Sequence, residues 1–263
     1  MRIICPVKRV PDTAAEKKVT EDLTVDRDSV EAILNANDEW SIEEALRIKE
    51  SRDDVEIVAL CMGPDTAQQT VRKALSYGLD AAIQITDDAV AGSDAVATAR
   101  VLAAALKDEE WDLIIMGNQS SDARSMLVPA MLAEFLDVPA LTYAKRLAVG
   151  DDGAVEADRE TAGGHETVQT TLPAVVSVVE AINEPRYPNF KGIMAAKKKP
   201  LETKDLAAIG LSADDAGHAG SATKVLEATP KPPKEAGEKI EDDGTGQVGA
   251  KALDDFLVEK KFI

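Results

Sequence analysis

The stretch VEIVALCMGPDTAQQTVRKALSYGLDAAIQI, residues 55–85, decides the fold class. Val55 to Met62 is an apolar run of strand length, and it stops at Gly63-Pro64, a pair that interrupts strand and helix alike. Ala67, Val71, Ala74 and Leu75 then recur at helical spacing as far as Gly78, a residue suited to a helix C-terminus. A second apolar run, Ala81 to Ile85, follows at once. Strands that are apolar throughout, with a helix between them, read as neighbours in a parallel sheet covered on both faces.

The same alternation extends both ways from this unit. Upstream, residues 2 to 7 form a short apolar strand ending at the turn Lys8-Arg9-Val10-Pro11-Asp12, and a polar excursion of about 25 residues follows. Ser41-Ile42-Glu43-Glu44 then matches a capping box, with Ile42, Ala45, Leu46 and Ile48 as the apolar stripe of a helix running to about Glu50. Downstream the spacing predicts a helix over Asp94–Leu106, a strand over Leu113–Met116 and a helix over Asp122–Leu136. The fold class is therefore α/β, a doubly wound and mostly parallel sheet.

From Ala140 strands follow one another, at Val155–Arg159, His165–Leu172 and Ala174–Val179, and read as antiparallel additions to that sheet. Beyond Lys199 the core signal fades, and Glu227–Gly246 is dominated by Pro, Lys, Glu, Asp and Gly, too polar to fold alone. The chain ends with Leu253, Phe256, Leu257 and Phe262 on or near one helical face. The expected organisation is an α/β domain over residues 1–200, then a linker and C-terminal arm over 201–263. Pattern leaves an even choice between that arm packing on its own domain and embracing a partner.

Composition narrows the function. A net charge of −18 on 263 residues would repel a phosphate backbone, which argues against nucleic-acid binding and fits either a surface tuned for high salt, as in a halophile, or an acidic mesophile protein. No run approaches the length needed to cross a bilayer, and the N-terminal apolar run is too short for a signal-peptide core. Cys5 and Cys61 both sit inside apolar runs and read as buried, reduced thiols, pointing to the cytoplasm. His165 and His218 have no ligand spacing to each other or to the cysteines. No nucleophile elbow, phosphate-binding glycine loop or GxGxxG fingerprint occurs, so catalysis by side chains is not expected.

Two segments have the character of a site. Gly117-Asn118-Gln119-Ser120-Ser121-Asp122 follows the fourth strand, where open parallel sheets bind ligands. Gly117 would let the backbone approach a ring, and Asn118 and Gln119 offer amides suited to an adenine or ribose edge. A plain helix cap explains Ser120, Ser121 and Asp122 equally well. The second segment is Ile182-Asn-Glu-Pro-Arg-Tyr-Pro-Asn-Phe-Lys-Gly-Ile-Met194, running into Lys197-Lys198-Lys199, an exposed loop that would present Tyr187 and Phe190 as interface anchors unless they tuck into their own core.

Several motifs together resemble the beta subunit of electron transfer flavoproteins. They are Arg159-Glu160 before Gly163-Gly164, Leu172-Pro173-Ala174-Val175-Val176, Asn183-Glu184-Pro185-Arg186-Tyr187, and Ile193-Met194 with the lysine run. Supporting matches are Val7-Lys8-Arg9-Val10, Glu43-Glu44-Ala45-Leu46, Gly63-Pro64 with Ala74-Leu75 and Gly78, and Gly117-x-Gln119-x-x-Asp122, and the resemblance spans about residues 1 to 205 and, more loosely, the C-terminal helix. It implies an adenine-nucleotide-binding fold shared with universal stress proteins, and a heterodimer whose alpha subunit carries most contacts to a redox-active FAD. Electrons would arrive from acyl-CoA and related dehydrogenases and leave to a quinone oxidoreductase, this chain being an electron-carrier subunit with no chemistry of its own. The C-terminal arm would wrap the alpha subunit.

By position, the resemblance implies a structural AMP pocket drawing on Pro6, on Asn35, Ala36, Asn37 and Asp38, on Met62, and on Gly117, Asn118, Gln119, Ser120, Ser121, Asp122, Ala123, Arg124, Ser125, Met126, Leu127 and Val128. The chain departs from the family at Ser125-Met126-Leu127-Val128, where members usually carry polar residues for the phosphate. An AMP, a second FAD as in a flavin-bifurcating form, or an empty pocket stay open, with AMP the expectation. The docking loop would comprise Pro185, Arg186, Tyr187, Phe190, Ile193 and Met194, with Phe190 where a Leu is common, and Glu160 would pair with an alpha-subunit Arg. The rival from another class is a solitary nucleotide-binding regulator of the universal-stress-protein kind, which leaves the docking loop and the arm unexplained.

Overall fold

The computed structural model describes residues 1–15, 18–27, 29–229, 232, 236–237 and 239–263. In chain order the elements are β1 (Arg2–Pro6), β2 (Arg9–Pro11), β3 (Ala32–Leu34), α1 (Ala36–Ser51), β4 (Glu56–Met62), α2 (Gln68–Ser76), β5 (Ala81–Ile85), α3 (Ala95–Leu106), β6 (Leu113–Gly117), α4 (Val128–Leu136), β7 (Ala140–Val149), β8 (Ala154–Thr161), β9 (Gly164–Thr171), β10 (Ala174–Val178), α5 (Phe190–Ala196), β11 (Leu201–Lys204), α6 (Gly217–Gly220) and α7 (Gln247–Glu259). Two compact units result, Met1–Ala228 and Thr229–Ile263.

The first unit is built on a nine-stranded sheet of order β11-β5-β4-β1-β6-β10-β7-β8-β9. Its pairs are parallel from β11 through β7, with Cys5 opposite Ala59 and Ile4 opposite Ile114 at the centre. The β7–β8 and β8–β9 pairs are antiparallel, so β8 alone runs against the other strands of this sheet. Because alternate side chains of a strand point to opposite faces, β1 feeds two cores. Ile3 and Cys5 join Ile42, Leu46 and Leu75 of α1 and α2 on one face, and Ile4 joins Leu102, Leu106 and Leu132 of α3 and α4 on the other. Leu75 and Leu132 are fully buried, so truncating either to Ala costs about 2–5 kcal/mol.

Four details differ from the sequence reading, each for a tertiary reason. The segment Ala174–Val178 is not an antiparallel addition; it lies between β6 and β7, parallel to both and buried at every residue. The capping-box reading at Ser41 fails, because α1 begins at Ala36 and the Ser41 hydroxyl donates inside the helix to the Asp38 carbonyl at 2.9 Å. The fourth helix starts at Val128 rather than Asp122, since Arg124 and Met126 adopt left-handed conformations (φ 50° and 58°) that no helix tolerates. The polar excursion after Pro11 contains β3, paired antiparallel with β2.

The sheet also continues past residue 200, where β11 pairs with β5, and Leu206 and Ala216 are buried in the second core. In the second unit, the Asp242 carboxylate accepts N–H bonds from Gly244, Gly246 and Gly249, fixing the chain at the N-terminus of α7. Leu253, Phe256 and Val258 along α7, and Phe262 beyond it, are exposed.

Candidate functional site

β1, β4 and β6 end at Pro6, Met62 and Gly117. From β1 the chain proceeds to β4 and β5 on one side and returns to β6 on the other, so the strand order reverses beside β1, the position where open α/β sheets leave a crevice. A cavity of about 370 Å³ opens there, with an apolar wall that includes Leu60, Met62, Val90, Leu102, Met116 and Val128 and a polar side that includes Lys8, Arg27, Asn35, Asp38 and Ser120. Its size and mixed lining are those of a small-molecule site.

Of the residues expected at this site, Pro6, Asn35, Asp38, Met62, Gly117, Asn118, Gln119, Ser120, Ala123, Ser125, Met126 and Val128 line the cavity. Ala36, Asn37, Ser121, Asp122, Arg124 and Leu127 stand behind or beside them, and several do so with visible purpose. The Asn35 amide donates to Asp38 Oδ1 at 2.8 Å and to the Gln119 carbonyl at 3.0 Å, while its oxygen accepts from the Ser121 N–H at 3.1 Å. Asn37 adds a bond to the same Gln119 carbonyl at 2.9 Å and one to Asn118 Oδ1 at 3.2 Å. Two asparagines from the start of α1 thus hold the loop after β6 in one shape.

The space above Gly117 is filled from within the chain rather than kept for a ring. A Cβ at this position would lie 2.7 Å from the Asn37 carbonyl carbon and 2.8 Å from its oxygen, so Gly117 serves the close approach of α1 to β6.

Three cations, Lys8, Arg9 and Arg27, also line the cavity, and sequence reasoning placed none of them there. The Asp122 carboxylate is fully buried and accepts from Lys8 Nζ at 2.9 Å and Arg27 Nη2 at 2.6 Å. Burial alone would raise its pKa, but Lys8 and Arg27 outweigh that and hold the carboxyl well below the usual carboxylate range. Asp38 behaves oppositely: burial pushes it up to about 7 although the Asn35 amide and the Lys8 N–H both donate to it. Burial likewise raises both Cys5 and Cys61 above the ordinary thiol range, so neither offers a thiolate near neutral pH.

A second site candidate lies in the proline-bearing loop. Arg186 bonds Glu43 through Nε at 2.7 Å and Nη2 at 3.0 Å, and also pairs with Glu50. Asn183 donates to the Trp40 carbonyl and to Glu44, both at 3.0 Å. With its backbone tied to α1 in this way, the loop leaves Tyr187 93% and Phe190 79% exposed, with Ile193 and Met194 about half exposed on the next turn. The Asn189 side chain caps α5 at the Gly192 N–H, and a Cβ at Gly192 would meet the Ser76 carbonyl at 2.4 Å, so α5 is pressed onto α2. The apolar side chains are therefore displayed on a rigid mount and do not enter the core. Glu160, at the end of β8, is paired inside the chain with Lys145 at 3.0 Å, and that ammonium also meets His165 Nδ1 at 2.8 Å.

The model of the electron transfer flavoprotein domain matches residues 22–209. The electron transfer flavoprotein subunit beta of Mycobacterium tuberculosis (strain ATCC 25618 / H37Rv) is 44% identical over 267 residues, with 99% of each chain covered. The subunit of the same name from Bacillus subtilis (strain 168) is 38% identical, with 92% of each chain covered. The Caffeyl-CoA reductase-Etf complex subunit CarD of Acetobacterium woodii is 34% identical over the whole of both chains.

Proposed function

Because the chain belongs to the electron transfer flavoprotein family, and its relatives along nearly the full length are named beta subunits, we propose that it is the beta half of a heterodimeric electron carrier. Its partner is an alpha subunit bearing the redox-active FAD, and the flavin supplies the electron storage. This chain scaffolds that partner, docks the electron donors and binds an adenine nucleotide, AMP in first place, in the cavity beside β1. Acyl-CoA and related dehydrogenases deliver the electrons, and a quinone oxidoreductase removes them. No helix among the described residues is long and apolar enough to cross a membrane, and we assign the chain to the cytoplasm.

The observation that carries the docking role is the mounted apolar display at Tyr187, Phe190, Ile193 and Met194. Four large apolar side chains held outward on a loop tied to α1 by the Arg186–Glu43 ion pair cost solvation in the free chain and recover it when covered. Their compact arrangement fits a small, central anchor in a transient interface, suited to a carrier that must release one partner to meet another.

The nucleotide reading rests on the cavity's lining, which combines apolar side chains with the amides of Asn118 and Gln119 and the cations Lys8, Arg9 and Arg27. Heat release of small molecules from the co-expressed heterodimer tests it. One AMP and one FAD per heterodimer are expected; two FAD would replace AMP with a second flavin, and no adenine nucleotide beyond the FAD would remove the nucleotide site.

A further inference from the structure

Ser125, Met126, Leu127 and Val128 bring a single side-chain hydroxyl to the loop before α4. Arg124, the cation of that loop, is not among the residues that line the cavity, so an anionic ligand finds its counter-charge on other segments. Arg27 and Lys8 both line the cavity and converge on one sealed carboxylate. Arg27 reaches Asp122 Oδ2 through Nε at 3.1 Å and Nη2 at 2.6 Å, and Lys8 reaches Oδ1 at 2.9 Å while also donating to Ser120 Oγ at 3.2 Å. Arg27, Lys8 and Asp122 together carry one net positive charge, two cations sharing one carboxylate.

Neither cation is used up. Asp122 takes only part of the guanidinium fork, and Asp122 with Ser120 only part of the ammonium's donors. The side chains are 33% and 37% exposed, so both remain within reach of a ligand. A buried carboxylate that fixes two cations in advance reduces the ordering cost of binding an anion. The segment presenting Arg27 is itself structured: Val19 bridges Val25, the Thr20 and Thr24 hydroxyls meet at 2.8 Å, and the Asp26 N–H bonds the Lys18 carbonyl at 2.9 Å.

We propose that Arg27, with Lys8 beside it, holds the phosphate of the nucleotide whose base lies against the apolar wall. This rests on the reading of the cavity as a nucleotide site and assigns the phosphate to a residue 95 positions away in sequence from Asp122, which it touches in the loop that follows β6. Arginine suits the task because its planar fork matches phosphate oxygens two at a time, while lysine contributes a point charge.

The test is calorimetric titration of the nucleotide-stripped heterodimer with AMP and, separately, with adenosine. In Arg27→Gln the AMP affinity falls about tenfold to a hundredfold, as loss of a charge-assisted contact predicts. Adenosine binding stays within about threefold of wild type, a change smaller than such a contact would produce. Arg27→Lys recovers part of the AMP affinity, and the wild-type preference for AMP over adenosine shrinks as salt rises. Equal losses for both ligands in Arg27→Gln would make Arg27 a pin for Asp122 and overturn the proposal, as would no loss for either. A wild-type protein that binds both ligands equally also refutes the phosphate role and leaves the nucleotide site standing. A wild type that binds neither ligand removes the nucleotide site itself, and the phosphate role with it.

Discussion

Phe190→Ala separates docking from folding. Phe190 is 79% exposed and stands on the first turn of α5, so the ring contributes little to the core and its removal changes stability by no more than about 0.5 kcal/mol. In a complex the ring can bury most of that exposed surface. Full burial of a Phe side chain is worth about 1.5–3 kcal/mol, and scaling by the exposed fraction leaves about 1–2.5 kcal/mol available to docking. The expected result is a loss of about fivefold to sixtyfold in kcat/KM for reduction of the heterodimer's flavin by an acyl-CoA dehydrogenase, at an unchanged flavin content and unfolding midpoint. The assay is steady-state reduction of the flavin followed by its absorbance, with dehydrogenase varied. An unchanged kcat/KM would remove the loop from docking, and a loss accompanied by a lower midpoint would mean that Phe190 supports the fold instead.

Arg186→Met leaves Glu43, whose side chain is 6% exposed, without its main counter-charge and should lower stability by about 1–3 kcal/mol by urea unfolding, while also weakening the dehydrogenase coupling that Phe190→Ala weakens. Gly117→Ala forces a Cβ against the Asn37 backbone at 2.7–2.8 Å, so the unfolding midpoint should fall by the equivalent of about 1–3 kcal/mol, a change that calorimetry resolves. Asp38 is raised to about 7 in the folded chain, so the unfolded chain holds fewer protons on it between about pH 4 and 7. Its contribution to stability is therefore full below about pH 4 and is lost as pH rises through about 7. Asp38→Asn should flatten that decline, by up to about 4 kcal/mol for a shift of roughly three units, and a pH series of urea unfolding curves that runs parallel for the two proteins would refute it.

Much of the sheet was legible because parallel strands buried on both faces read as unbroken apolar runs, as at Ile57–Cys61 and Leu113–Met116. The same cue was present in Ala174–Val178, yet strand order is a tertiary property, and chain position alone suggested an edge addition where the structure has an interior strand. β11 gave no signal, since Leu201-Glu-Thr-Lys204 is an edge strand with two exposed side chains. The start of α1 was misread because Asn35 is fixed by bonds to a loop 84 residues away, a constraint that no local capping pattern carries. At the site, the loop from Gly117 to Ser120 was within reach of position and composition, whereas Met126 was reached only through the family resemblance. Arg27 was not, because it comes from a polar segment without periodicity and joins the cavity only through Asp122. Likewise Asp122 suggested a helix cap, and its buried pairing with two cations depends on segments far away in the chain.

Every role proposed for this chain requires that it be half of a flavoprotein. Co-expression with an electron transfer flavoprotein alpha subunit, followed by size-exclusion chromatography with light scattering and flavin absorbance, measures that directly. The prediction is a single species with the summed mass of the two chains and bound flavin, into which all of this subunit passes. A colourless species of this chain alone, stable and indifferent to the flavin-bearing subunit, would contradict it.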